Sequence, residues 1–102
     1  MDRGELIEVE TPFFDGVESM YFYPNLLWGE LIKVGDAIDL ETNEVDHEKL
    51  PDLVIHLARN RDGKRLFTNQ DRKKFLNLYA QDMIFLVQSL EPIFASVAAK
   101  KN

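Results

Sequence analysis

The sequence predicts a mainly α fold: a small helical domain with an N-terminal extended segment or β-hairpin packed on three to four helices. Three observations carry this. Before Pro24 the apolar residues alternate with polar ones, a period of two. After Pro24 they recur every three or four residues through four separate stretches. The chain has 102 residues, 45% of them apolar, so it is one domain by length and large enough for a real core without staples. The expected division is 1–23 extended or hairpin, 24–99 helical and 100–102 a tail.

In the first segment, Ile7, Val9 and Thr11 alternate with Glu8 and Glu10. Val17, Ser19, Tyr21 and Tyr23 alternate with Glu18, Met20 and Phe22. Pro12 and Asp15-Gly16 mark a turn between the runs. An isolated hairpin is marginal, so this one must pack on something or pair with another chain. Phe13, Phe14, Tyr21, Phe22 and Tyr23 supply the apolar surface for that.

Pro24 suits the first turn of a helix. Leu27, Leu31, Val34 and Ile38 form its stripe, with Trp28 and Ile32 beside it and Gly29 and Gly35 weakening it. Asp39 to Asp46 is a polar loop. The second helix starts near Asp46, carries Pro51 in its first turn, and aligns Leu50, Leu53, Val54, Leu57 and Ala58. Asp62-Gly63 is a turn. Thr68 then N-caps the longest helix, with Asp71 placed where an acid suits the positive helix end. Phe75, Tyr79, Met83, Leu86 and Leu90 form the stripe of that helix. Pro92 should break or kink it, leaving a last short helix from about Pro92 to Ala99.

Several function classes are disfavoured. The net charge of −6 argues against general nucleic-acid binding, which needs excess positive charge. No apolar run is long enough for a membrane span, and the charged start is unlike a signal peptide. The absence of cysteine removes disulfides and thiolate chemistry. Neither His47 nor His56 has metal-motif spacing, the glycines make no phosphate loop, and Asp62-Gly63-Lys64 lacks the spaced ligands of a calcium loop. The expectation is a non-enzyme with no cofactor, no metal and no catalytic residues.

One stretch of the long helix stands apart. Leu78, Ile84 and Phe85 lie off its main stripe, and from Met83 to Val87 the helix is apolar almost all round. Such a helix is either sandwiched between neighbours or exposed to a partner. Leu78, Ile84 and Phe85 are therefore the candidate surface for a partner or for self-association.

The run from Leu53 to Asp71 resembles the core of the tail assembly chaperone family of long-tailed bacteriophages. In that family an apolar helix leads to Asp-Gly, a basic or polar residue, then Leu-Phe-Thr and an acid that opens the next helix. Asp62, Gly63, Leu66, Phe67, Thr68 and Asp71 match; where many relatives carry Asp, this chain has Asn60. The resemblance covers roughly Leu53 to Leu90. It implies a non-enzymatic binder that keeps the tape measure protein soluble and recruits tail tube subunits. It also implies action in the host cell cytoplasm, absence from the mature virion, homo-oligomers and a longer frameshifted form. Ala99-Lys100-Lys101-Asn102 is compatible with an A-rich slippery codon run. The alternatives are a small acidic adaptor or secretion-type chaperone, and a minor structural virion protein.

Overall fold

The computed structural model describes the backbone of residues 3–100 and the side chains of residues 3–95. An antiparallel hairpin of β1 (Ile7–Glu10) and β2 (Ser19–Phe22) precedes four helices. These are α1 (Trp28–Ala37), α2 (Leu50–Leu57), α3 (Arg72–Leu76) and α4 (Ala80–Lys100). Short 3₁₀ turns at His47–Lys49 and Asn69–Asp71 lead into α2 and α3. The radius of gyration is 13.0 Å, as expected of a single packed domain of this length.

The hairpin register pairs Ile7 with Phe22 and Val9 with Met20. Val9, Met20 and Phe22 are buried while Ile7 remains partly exposed, so β2 contributes more to the core than β1. The connecting loop is built on Thr11, which is fully buried. Its amide donates to the Glu18 carbonyl at 2.8 Å and its hydroxyl to the Val17 carbonyl at 3.0 Å. Gly16 takes the positive φ this loop requires.

The other edge of β2 is also paired. The Tyr21 and Arg59 backbones exchange both hydrogen bonds, at 2.9 and 2.7 Å, and Arg59 bridges to Arg65 across the Asp62-Gly63 turn. The turn after α2 therefore extends the hairpin by two further backbone bridges. That pairing supplies the support a lone hairpin lacks.

Helix α1 starts later than Pro24 suggests. Its start is set by Glu30, whose carboxylate accepts the Leu27 amide at 2.8 Å. Val34 and Ile38 of the expected stripe are buried and Leu31 is half-buried, but the buried face is rotated to take in Glu30 and Ala37, and Leu27 stays 44% exposed. Two arginines ligate Glu30 and turn that face to the interior. Helix α2 follows its predicted stripe, with Leu50, Leu53, Val54, Leu57 and Ala58 all buried and Pro51 in the first turn.

The expected long helix is corrected in two places. Thr68 caps a 3₁₀ turn and the short α3, and the chain leaves helical pairing at residues 77–79. The Asn77 amide still bonds to the Lys73 carbonyl, but Leu78 tightens to the Phe75 carbonyl and α4 starts afresh. Tyr79 consequently leaves the core stripe and is 79% exposed. On the α3 side of the break, Phe75 packs against Phe14 and Phe67. Those three rings lie 5.0–5.2 Å apart, centroid to centroid. Pro92 lies inside α4, and no separate last helix follows it. Pro92 itself is exposed, while Leu86, Leu90, Ile93 and Phe94 hold one continuous buried face across it. Tertiary packing on both sides of the proline outweighs one missing backbone bond. Of the expected tail, Lys101 and Asn102 lie outside the described residues.

Candidate functional site

The family-like segment folds as a self-contained scaffold. Asn60 organises its turn: its side-chain oxygen accepts the Asp62 and Lys64 amides at 2.9 and 3.0 Å. A carboxylate oxygen could accept the same two bonds, so Asn60 keeps the architecture that an Asp would give. Gly63 takes a φ of +82°, and its carbonyl accepts the Tyr23 hydroxyl at 3.3 Å. Leu66 is half-buried and Phe67 is buried in the three-ring cluster.

Thr68 and Asp71 form a reciprocal cap. The Thr68 hydroxyl accepts the Gln70 amide at 3.3 Å, and the Asp71 carboxylate accepts the Thr68 amide at 2.8 Å. That backbone donor holds the Asp71 carboxyl below its ordinary pKa, with Lys74 assisting at 3.3 Å. Since the folded form lowers this pKa, the cap stabilises above the ordinary carboxyl range near 3.9 and is lost as pH falls through the folded value. Thr68→Ala should lower stability by about 1 kcal/mol in a denaturant titration. Acidification below about pH 4 should destabilise wild type and variant alike, because Thr68→Ala keeps the backbone amide that Asp71 accepts.

These polar groups are spent on their own backbone and leave the segment little with which to hold a ligand. His56 is equally unpromising. Partial burial pulls its pKa down, Arg65 and Lys33 press it further in the same direction, and Glu30 opposes them. It is a boundary side chain at the foot of α2. Among the described residues no cluster of three or more His, Asp or Glu side chains could hold a metal ion. Among the described residues no helix is long and apolar enough to cross a membrane.

The candidate contact residues do reach the surface. Ile84 is 54% and Phe85 46% exposed on α4, opposite the buried Leu86 and Leu90. The Phe13 ring meets Phe85 edge-on at 6.0 Å, so the hairpin loop joins this surface. Leu78 is half-buried; with Phe13, Phe14, Asp15, Lys74 and Asn77 it lines a shallow groove of about 330 Å³. The structure thus connects Leu78 and Phe85 through Phe13, a link invisible along the chain.

A second exposed apolar surface escaped the periodicity. Trp28 and Ile32 lie one turn apart on α1, 77% and 54% exposed, on the face opposite Glu30, Val34 and Ala37. The stripe of Leu27, Leu31, Val34 and Ile38 places Trp28 beside the core, but only its Val34 and Ile38 are buried. The one available signal was Glu30, whose burial rotates the helix.

Comparison of the chain with protein families, curated proteins and solved structures found no match.

Proposed function

We propose that this chain is a non-catalytic protein-binding domain that covers apolar segments of a partner. More specifically, we propose a tail assembly chaperone of a long-tailed bacteriophage. It binds the tape measure protein, keeps it soluble, and helps recruit tail tube subunits, in the host cytoplasm and not in the mature virion. The observation that carries the reading is the exposure of Ile84 and Phe85 on a helix whose other face is firmly buried. Large apolar side chains held outward on a rigid helix suit helix-in-groove or helix-on-helix recognition. The Asn60–Asp71 layout supplies the family resemblance. The net charge of −6 supports solubility of a complex between apolar surfaces.

Replacing Ile84 and Phe85 together by Asp should leave the far-ultraviolet circular dichroism unchanged, because both are already half in water. Each side chain fully buried at an interface contributes about 1.5–3 kcal/mol, so capture of the tape measure protein should weaken at least about tenfold. Undiminished capture by a folded variant would remove this surface from the proposal. Mass spectrometry of purified particles separates the chaperone from a structural virion protein, which would be retained there. The gene tests the longer form: without a slippery heptamer and an overlapping frame, recruitment of tube subunits by a frameshifted product falls.

A further inference from the structure

Arg3 occupies a built socket. Its guanidinium lies 4.0 Å from the centroid of the Tyr23 ring, donates to the Asn25 carbonyl at 2.9 Å, and pairs with the buried carboxylate of Glu30. An aromatic face, a carbonyl and a carboxylate around one planar cation are the elements of arginine recognition. Two of the three walls are held by something other than Arg3. Tyr23 is anchored through its hydroxyl to Gly63. Glu30 is fixed by Arg59 at 3.0 Å and by the Leu27 amide at 2.8 Å. Asn25 belongs to the chain leading into α1. The aromatic and acidic walls therefore have anchors besides the occupant.

The occupant arrives on a short strap outside the sheet. Residues 3–6 precede β1, and Asn25 returns a side-chain hydrogen bond to the Arg3 carbonyl at 3.2 Å. The fit is incomplete: the Arg3 Nε is buried with no hydrogen-bond partner, beside a small cavity of about 10 Å³ under Leu26, Leu57 and Ile93. Arg3 is also the most exposed member of the ionic group, at 19% against 10% for Arg59 and 6% for Glu30. It is the member of that group nearest to water.

We propose that Tyr23, the Asn25 carbonyl and Glu30 form an arginine-binding site that the chain fills with its own Arg3, and that an arginine side chain of a partner polypeptide takes its place. Exchange frees residues 3–6 from the start of α1. This site is independent of the apolar surface on α4 and of the chaperone reading.

The test uses the full chain carrying Arg3→Ala, with N-acetylarginine methylamide as probe and N-acetyllysine methylamide as control. Tyr23 ring resonances and the melting temperature are followed by titration. The arginine probe should bind saturably and raise the melting temperature, and the lysine probe should bind at least about tenfold more weakly, because it lacks the planar fork. Adding Glu30→Gln should abolish the difference between the probes. Equal response to both probes, or a response that survives Glu30→Gln, overturns the socket. In wild type the arginine probe should compete with Arg3 and move the Gly4 and Glu5 amide resonances toward their positions in Arg3→Ala. If those resonances stay fixed at probe levels that saturate the variant, exchange is overturned. Should Arg3→Ala fail to fold, Arg3→Met keeps the aliphatic packing and takes the same titrations.

Discussion

Glu30→Ala is expected to lower the stability of the domain by about 3–5 kcal/mol, because it removes the shared partner of two arginines drawn into the interior. Glu30 is 4% exposed, and its two carboxylate oxygens take different cations, Arg3 on Oε1 and Arg59 on Oε2. The first oxygen also takes the Leu27 amide and so defines where α1 begins. Arg59 sits at the crossing of three elements: its side chain donates to the His56 and Ala58 carbonyls, and its backbone pairs with Tyr21. Burial lowers the Arg59 pKa and Glu30 opposes that pull. Without the carboxylate, a desolvated guanidinium remains against β2 with only carbonyls to meet it. Urea unfolding of wild type, Glu30→Ala and Glu30→Gln tests this. Gln keeps an acceptor for the Leu27 amide but not the charge, so its loss should be intermediate. A loss below about 1 kcal/mol for Glu30→Ala would mean that water reaches the arginines and the pair acts as a surface one.

Glu30 also marks the limit of what could be read from the chain. Hairpin, turn, cap and α2 were legible because each is written locally: alternation about Val9 and Met20, Asp62-Gly63, Thr68 with Asp71, and the stripe from Leu50 to Ala58. The rotation of α1 was not, since it depends on arginines 27 and 29 positions away in sequence. A polar residue on an apolar-looking helix reads as a surface residue until its counter-ions are known. The break at residues 77–79 and the continuity through Pro92 failed for the same reason. Both are settled by packing of Phe75 against Phe14 and Phe67, and of Ile93 and Phe94 in the core, where tertiary contact overrides local preference. For the candidate site, Ile84 and Phe85 were legible as residues off the stripe. The participation of Phe13 was not, because it crosses from the hairpin loop to α4.

Gly63→Ala should be the most damaging substitution in the family-like segment, at about 2–4 kcal/mol, by two separate mechanisms. The backbone φ of +82° lies in the left-handed region, where a Cβ costs about 1–2 kcal/mol. A Cβ built there would also lie 2.2 Å from the Tyr23 hydroxyl oxygen, well inside contact distance. Tyr23 has little freedom to retreat, since its ring is stacked under Arg3 and its hydroxyl is bound to the Gly63 carbonyl. The two mechanisms separate in a double-mutant cycle with Tyr23→Phe. Removing the hydroxyl relieves the closest contact but leaves the φ penalty, and the next ring atom would stand 3.3 Å away. Gly63→Ala should therefore cost less in the Tyr23→Phe background by at least about 0.5 kcal/mol, with a remainder near the left-handed penalty. An unchanged cost in both backgrounds would place the whole effect in the backbone. Asp62→Ala, one residue away and exposed, is the control: its amide keeps the bond to Asn60, so its loss should stay within about 0.5 kcal/mol. A glycine demanded from both sides, by the turn it closes and by the tyrosine it touches, gives a physical reason for Asp-Gly at this position that needs no ligand.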